Sequence, residues 1–287
     1  MISNEIEFHR PGSLAEALAL MERDGEDITV LSGGMSLVPM MNLGIIRPEQ
    51  VLSLNGVHEL DHVTETDGDL VIGAMVRHAR VATDPLIRRH APVLAAAAQV
   101  IGDVQVRNRG TLGGSVAHAD PAADYLPALA AAGGSVTMAG SDGERTLTPD
   151  EFFIDLMFTS REPNELVTSV TVPKLPAGWR SGYARLTRVE GSYAIVNAAA
   201  VIAGDHSAAT VALGGVGSKP LVVDVTEQLR NGVDEAALAA VGEVVREAAQ
   251  DVSGDLMSDA SYRREMAAVF ARRACAMAAT TEAEVSA

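Results

Sequence analysis

Hydrophobic positions in the first 57 residues alternate between helical spacing and short continuous runs. Leu14, Leu18 and Met21 recur at the spacing of an amphipathic helix, and Ser13 with Glu16 forms a capping-box pattern before them. Short apolar runs bounded by Gly, Pro and Ser are typical of buried strands. The pattern predicts strands at 6–9, 28–31 and 51–54 and helices at 14–21 and 37–43.

The middle of the chain mixes short strands with helical stretches. Asp84-Pro85 interrupts one helical run, and Ser141-Asp142-Gly143 provides the turn of a hairpin. Asp120-Pro121 has the form of an N-cap followed by proline at the first helical position. The predicted strands are 70–72, 102–109, 135–138, 144–147 and 166–172, and the predicted helices are 77–82, 91–100 and 122–132.

A proline-rich stretch at residues 173–178 separates a final segment with a different pattern. Three runs there have the character of strands, at 182–189, 194–203 and 210–214, and alanine-rich helical runs follow at 235–249 and 262–279. Strands followed by helices indicate a separate α+β domain. The sequence thus predicts an α+β protein with units at 1–57, 58–176 and 177–287.

Composition and charge narrow the functions that this chain can perform. The 287 residues are 47% hydrophobic, so the chain can build substantial cores. A formal net charge of −16 and an aromatic content of 3% argue against nucleic acid and anionic membrane surfaces as partners. The sequence has no run of about 18 apolar residues and no secretory signal pattern, so we expect a cytoplasmic protein without a transmembrane segment.

The single cysteine, Cys275, excludes several kinds of redox and metal site within this chain. An internal disulfide needs two thiols, and a thiolate-held iron–sulfur cluster normally needs four. The histidines are scattered, and the sequence shows neither a metal-ligand spacing nor a Ser-His-Asp or Cys-His arrangement. We therefore expect no catalytic side chain and no metal site, with any redox centre being an organic cofactor or lying on another chain.

Two glycine-rich motifs are the strongest candidates for ligand binding. The first, Ser32-Gly33-Gly34-Met35-Ser36, lies between a predicted strand and a predicted helix. Adjacent glycines permit positive φ and close backbone approach, and successive N–H groups in such a turn form a concave site for an anion such as a diphosphate. An ordinary strand-to-helix turn explains the same residues. The motif matches neither G-x-G-x-x-G nor a P-loop.

The second motif, Thr111-Leu112-Gly113-Gly114-Ser115, offers the same combination of backbone donors and hydroxyls. Taken alone it is also compatible with a structural turn, but two such motifs favour a bound dinucleotide. Asp124 either complements a helix dipole or accepts hydrogen bonds from ligand hydroxyls. Tyr193, in a Gly-Ser turn, either packs in a hairpin or lies beside a flat cofactor ring.

Taken together, these stretches resemble the flavin-binding medium subunits of the molybdenum hydroxylases, and above all that of aerobic carbon monoxide dehydrogenase. The similar segments span nearly the whole chain. They are FHRPGSLAEAL (8–18), LSGGMSLVPMMNL (31–43), VIGAM (71–75), VRNRGTLGGSVAHADPAADYLPAL (106–129), GSYA (191–194) and YRREM (262–266). Position 35 is usually His or Gln in such proteins, whereas Met35 cannot donate a hydrogen bond.

The resemblance implies a PCMH-type FAD-binding domain of two α+β subdomains, followed by a C-terminal α+β domain with an antiparallel sheet and helices. It implies that Ser32–Ser36 and Thr111–Ser115 hold the FAD diphosphate and its surroundings, so that Met35, Gly113 and Gly114 belong to the site. Asp124 would contact the hydroxyl-bearing chain of the cofactor. Tyr193 and Ile101 would lie beside the isoalloxazine.

The resemblance also implies an electron-transfer role within a larger enzyme. Electrons would pass from a large molybdopterin-binding subunit through a small 2Fe-2S subunit to FAD on this chain, and then to an external acceptor. The assembly would be a dimer of heterotrimers. A medium subunit of a xanthine, aldehyde or aromatic-ring hydroxylase, a stand-alone flavoprotein oxidoreductase and a non-catalytic anion-binding scaffold remain alternatives.

Overall fold

The computed structural model describes residues 5–280, which form three successive groups of helices and strands. The first group contains three parallel strands in the order β1-β3-β2, with helices following β1 and β2. Its elements are β1 (Glu7–His9), α1 (Leu14–Asp24), β2 (Ile28–Leu31), α2 (Leu37–Asn42) and β3 (Gln50–Ser53). The Ser13 hydroxyl caps α1 by accepting from the Glu16 N–H, which is one half of the predicted capping box. The Glu16 carboxylate accepts from the Gly12 N–H rather than from the Ser13 N–H.

The second group is built on an antiparallel five-stranded sheet, β4-β5-β10-β6-β7, covered by helices. Its first elements are β4 (Val63–Glu65), β5 (Asp69–Gly73), α3 (His78–Thr83), α4 (Pro85–His90), α5 (Pro92–Val100), α6 (Val104–Arg109), α7 (Leu112–His118) and α8 (Tyr125–Ala131). The remainder are β6 (Ser135–Gly140), β7 (Gly143–Leu147), α9 (Pro149–Phe152), β8 (Phe153–Asp155), β9 (Phe158–Thr159) and β10 (Leu166–Pro173).

The third group is an antiparallel four-stranded sheet, β11-β12-β13-β14, followed by helices. Its elements are β11 (Arg180–Leu186), β12 (Val196–Ile202), β13 (Ala209–Gly214), β14 (Leu221–Asp224), α10 (Thr226–Leu229), α11 (Glu235–Ala248) and α12 (Ala260–Thr280). Every residue of β12 is buried, because α12 covers one face of the sheet and the second group covers the other.

The predicted α+β class, with two α+β units before a C-terminal antiparallel sheet and helices, is confirmed. The unit boundaries after residues 57 and 176 stay predictions. The cores are shared between neighbouring groups: Met75 and Leu166 pack with the first group, and Tyr183 packs with the second. No helix within residues 5–280 is both long and apolar enough to cross a membrane.

Two local predictions are wrong. Residues 102–109 are not a polar strand, because Asp103 accepts from the Val106 N–H and starts α6. Asp120-Pro121 does not begin a helix either: the Asp120 carboxylate accepts from the Ala122 N–H in a local turn, and α8 begins only at Tyr125. The short edge strands β4 and β14 were missed.

Candidate functional site

The candidate residues line one cavity of about 790 Å³. Its volume lies within the range of about 300–1,000 Å³ that is typical of small-molecule sites. The structure brings together all twelve predicted site residues in the wall of this cavity. They are Ser32, Gly33, Gly34, Met35, Ser36, Ile101, Thr111, Gly113, Gly114, Ser115, Asp124 and Tyr193.

The first glycine motif supplies free backbone donors at the cavity wall. Gly34 has a φ of 79°, which turns the chain sharply between β2 and α2. Within residues 5–280, the N–H groups of Gly33, Gly34, Met35 and Ser36 donate to no acceptor. The Ser36 hydroxyl makes no capping hydrogen bond. Successive unpaired N–H groups in a turn are suited to hold an anion.

The glycines bring chain segments together rather than only admitting a ligand. A Cβ on Gly33 would lie 2.3 Å from the Arg109 carbonyl oxygen, so the first motif packs directly on the backbone before the second. A Cβ on Gly114 would lie 2.7 Å from Thr111 Oγ1 and 3.2 Å from Ser32 Cβ. The two motifs therefore form adjacent parts of one wall.

A hydrogen-bonded clamp, which the sequence analysis missed, fixes the first motif. Asn55 Nδ2 donates to the Ser32 carbonyl oxygen at 3.0 Å, and Arg77 Nη2 donates to Asn55 Oδ1 at 2.7 Å. Arg77 Nη1 also donates to the carbonyl oxygen of Arg109. In the sequence, Asn55-Gly56 indicates only a turn, and no local pattern connects it to Arg77.

The second motif differs from its prediction, because its backbone donors already have partners. Thr111 caps α7, and its Oγ1 accepts from the Gly114 N–H at 3.1 Å. The Gly113 N–H donates to the Ala74 carbonyl oxygen at 2.9 Å, and the Ser115 N–H donates to that of Thr111 at 3.1 Å. This motif therefore contributes shape and the Ser115 side chain, while the first contributes the free N–H groups.

His78 lies behind the second motif as a neutral imidazole. Its Nδ1 is 3.0 Å from the Tyr125 hydroxyl, and the side chain is buried. Burial, together with the positive charges of Arg77 and Arg107, lowers the pKa of His78 to about 4. This histidine supports the wall of the cavity without adding a charge near neutral pH.

Asp124 is a buried carboxylate in the cavity wall, with partners on β11. The Tyr183 hydroxyl donates to Asp124 Oδ1 at 2.6 Å, and Arg185 Nη1 lies 3.2 Å from Oδ1 and 3.1 Å from Oδ2. Burial raises the pKa of Asp124, while the charge and hydrogen bonds of Arg185 and Tyr183 act in the opposite direction.

Tyr193 stands at the rim of the cavity, with about half of its surface exposed at 51%. Gly191, with a φ of 81°, lets this turn approach Gly102. Arg107 Nη1 donates to the carbonyl oxygens of Ile101 and Gly102 at 2.9 and 3.1 Å and so fixes that segment. A partly exposed ring at the edge of a cavity is suited to contact a flat ring system.

The segment after β8 also reaches the cavity, and no sequence signal predicted this. Arg161 is held there by its own neighbourhood, since its Nη1 donates to the carbonyl oxygens of Glu162 and Glu165. Glu165 forms a two-oxygen ion pair with Arg145. The segment contributes Met157, Arg161 and Glu165 to the lining, and the first residues of β10, Leu166 and Val167, continue it.

The chemistry of the wall fits FAD. Unpaired N–H groups suit its diphosphate, the buried carboxylate of Asp124 suits hydroxyl groups, and the exposed Tyr193 ring suits the isoalloxazine. Met35 offers no side-chain donor, but the backbone N–H at this position is available.

Family models match both parts of the chain. Residues 4–175 match a model described as "FAD binding domain in molybdopterin dehydrogenase". Residues 181–278 match one described as "CO dehydrogenase flavoprotein C-terminal domain".

Curated proteins of similar sequence include medium subunits with different substrates in their names. The carbon monoxide dehydrogenase medium chain of Afipia carboxidovorans is 34% identical over 283 residues, covering 96% of both chains. The nicotine 6-hydroxylase medium subunit of Paenarthrobacter nicotinovorans is also 34% identical, over 274 residues that cover 93% of this chain and 95% of the relative.

The fold is likewise similar to solved structures. A carbon monoxide dehydrogenase from Hydrogenophaga pseudoflava, described as lacking the Mo-pyranopterin moiety, superposes with a TM-score of 0.90 at 33% identity. That match covers 97% of this chain and 98% of the solved one. A quinoline 2-oxidoreductase from Pseudomonas putida superposes with a TM-score of 0.88 at 30% identity, covering 97% and 98%.

Proposed function

Because the chain belongs to the FAD-binding medium subunits of the molybdenum hydroxylase family, we propose that it relays electrons through FAD held in the cavity between its two glycine motifs. The observation that carries this proposal is the row of four unpaired N–H groups at residues 33–36 in the cavity wall. FAD supplies the redox chemistry when bound, and the chain positions it and shapes its electrostatic surroundings.

Each part of the wall has a proposed task. The N–H groups of the first motif hold the diphosphate, and Ser115 with the close-packed glycines 113 and 114 shapes the space beside it. Asp124 accepts hydrogen bonds from the hydroxyl-bearing chain. Ile101 and Tyr193 lie against the isoalloxazine. No side chain in the wall is assigned an acid or base role, because the bound FAD would supply the redox chemistry.

We infer that this chain works with two partners in the cytoplasm, a large molybdopterin-binding subunit and a small 2Fe-2S subunit. The words "medium chain" and "medium subunit" in the names of its relatives support this arrangement. The single cysteine supports it as well, since the clusters need ligands from another chain. We propose a dimer of heterotrimers that delivers electrons to an external acceptor.

Carbon monoxide is the substrate that we propose for the complete enzyme. Similarity to carbon monoxide dehydrogenase medium chains along 96% of this chain supports this choice. The equal identity of 34% to a nicotine 6-hydroxylase medium subunit favours an N-heteroaromatic substrate as the second candidate.

The test is anaerobic reduction of the flavin in the purified three-subunit complex. We expect carbon monoxide to bleach the flavin absorbance, and we expect no bleaching when this chain is supplied with FAD alone. Bleaching by nicotine or another N-heterocycle but not by carbon monoxide would replace the first substrate with the second. Reduction by substrate without the partner subunits would instead identify a stand-alone flavoprotein.

A further inference from the structure

We propose that the C-terminal sheet takes part in flavin binding, with Tyr183 and Arg185 as positioning residues that orient the Asp124 carboxyl group and place a positive charge beside it. The inference rests on the proposed function, because it assumes that Asp124 accepts hydrogen bonds from the cofactor. It assigns to the C-terminal sheet an effect on the FAD site that is exerted through Asp124, because Tyr183 and Arg185 themselves do not line the cavity.

One row of paired residues in the C-terminal sheet lies against residues 121–124. Arg185 pairs with Asn197, and Asn197 pairs with Gly214, so the three lie side by side across β11, β12 and β13. Asn197 Nδ2 donates to the Ala122 carbonyl oxygen at 3.2 Å. Next to this row, the Gly215 N–H donates to the carbonyl oxygen of Pro121 at 2.8 Å.

Gly214 allows this row to come close to the FAD-binding part. A Cβ at this position would lie 2.3 Å from Asn197 Oδ1 and 2.8 Å from the carbonyl oxygen of Pro121. Such distances require a shift of the sheet or of the segment. The glycine thus permits direct backbone contact between the C-terminal sheet and residues 121–124.

The side chains of β11 then fix the carboxylate itself. Tyr183 and Arg185 are two positions apart on one strand, so they extend from the same face of the sheet. Together they make three hydrogen-bond contacts to the two oxygens of Asp124. An ionised carboxylate can accept about four hydrogen bonds, so capacity remains for a ligand hydroxyl at the cavity side.

Charge explains why a cation is needed next to Asp124. Burial raises the pKa of this carboxyl group, and Arg185 opposes that change more than the other partners do. The other titratable groups that face it are Tyr183, Tyr125 and Tyr193, whose own pKa values are raised partly by Asp124. None of these tyrosines replaces the positive charge, so removal of Arg185 favours the protonated carboxylic acid.

The experiment is a fluorescence titration of the full-length apo chain with FAD between pH 5.5 and 8. We expect Arg185→Met to weaken FAD binding about tenfold or more at neutral pH, which corresponds to about 1.4 kcal/mol. Its affinity should recover as the pH rises, with a midpoint above that of the wild type. Tyr183→Phe should weaken binding by a smaller factor, because it removes one hydrogen bond and no charge.

Conservative and matched variants separate this role from a structural one. Arg185→Lys keeps a positive charge, so we expect its dependence of FAD affinity on pH to be close to that of the wild type. This comparison remains possible if Arg185→Met does not fold. Asp124→Asn has no carboxyl group to titrate at this position, so its FAD affinity should not show the pH dependence expected of Arg185→Met. Tyr262→Phe and Arg273→Met, which change exposed residues of α12, serve as controls and should bind FAD as the wild type does.

The possible results separate the two claims. If the wild-type chain binds no FAD at all, the proposed function fails. If it binds FAD but Asp124→Asn binds equally well, the positioning role is overturned while the proposed function stands. The role is also overturned if Tyr183→Phe binds FAD as tightly as the controls and Arg185→Met, where folded, keeps the wild-type pH midpoint.

Discussion

Individual glycines in the site are required mainly by contacts between chain segments. Gly33 packs on the carbonyl oxygen of Arg109, Gly113 on Ala74, and Gly114 on Thr111 and Ser32. Each approach is too close for a Cβ, so substitution distorts the wall even without a ligand. The sequence left open both close approach of a ligand and an ordinary turn, and neither alternative included these contacts between chain segments.

We predict that Gly33→Ala lowers FAD affinity at least about 100-fold, because it separates the motif from residues 109–110 and moves the free N–H groups. Met35→Ala keeps those N–H groups and should change affinity less than about threefold. Fluorescence titration of the two full-length variants provides the comparison. Equal affinities for both would show that the geometry of the first motif does not govern binding.

The buried imidazole of His78 makes the stability of the fold depend on pH. Its pKa is about 4 in the folded protein, against 6.5 for the ordinary side chain, so between these values the unfolded chain binds the extra proton. The stabilising contribution is therefore complete above about pH 6.5 and is lost as the pH falls towards 4. This residue alone accounts for up to about 1.4 kcal/mol per pH unit.

Replacing His78 by Gln should remove this component while leaving a polar partner for Tyr125. Urea unfolding of the apo chain at several pH values between 4.5 and 7 measures the slope. The exposed His58→Gln is the matched control and should keep the wild-type slope. An unchanged slope in the His78 variant would contradict the account of this histidine.

At the scale of single residues, the sequence predicts groups that are adjacent in the chain. A strand, two glycines and a helix within residues 28–42 identify the first motif. The clamp of Asn55 and Arg77 joins positions 22 residues apart, and the contact of Arg185 with Asp124 joins positions 61 apart. Such partners are set by tertiary packing, which local patterns do not contain.

At the scale of elements, α6 shows where a local pattern can mislead. Val104 and Val106 alternate with polar residues, as in a strand, but the Asp103 cap and the tertiary contacts select a helix. The helix matters for the site because the carbonyl oxygen of Arg109 receives Arg77 and packs against Gly33. A strand at these residues would be longer than the helix and would carry the Arg109 carbonyl oxygen away from Arg77 and Gly33.

We predict that Asp103→Ala destabilises α6 by about 1 kcal/mol through loss of its cap, whereas Asp103→Ser retains most of the stability. FAD affinity should fall with the alanine variant because the contact surface of Gly33 loosens. Urea unfolding and FAD titration measure the two effects. A loss of stability without any change in FAD affinity would show that α6 does not influence FAD binding.

At the scale of the molecule, the C-terminal sheet joins the two main cores. Ala199 and Ala212 face the core of the FAD-binding part, whereas Ala198 and Ala200 face α12. Small side chains allow layers on both faces to approach the sheet, which explains the alanine-rich β12. The sequence predicted the C-terminal antiparallel sheet and helices but not this double coverage, because an all-apolar strand does not reveal its neighbours.

We predict that Gly214→Ala lowers the free energy of unfolding by about 1–3 kcal/mol through overpacking against Asn197 and Pro121. It should weaken FAD binding as well, because residues 121–124 move with the contact. Gly68→Ala is the control, since an added Cβ there meets no atom within 4 Å. Thermal unfolding and FAD titration of both variants test whether the sheet and the site are connected.

The most direct measurement is a crystal structure of the full-length chain with bound FAD. The account predicts the diphosphate within hydrogen-bond distance of the N–H groups of Gly33–Ser36, a cofactor hydroxyl on Asp124, and the isoalloxazine against Tyr193. FAD bound outside this cavity, or inside it with the diphosphate away from the first motif, would contradict the account.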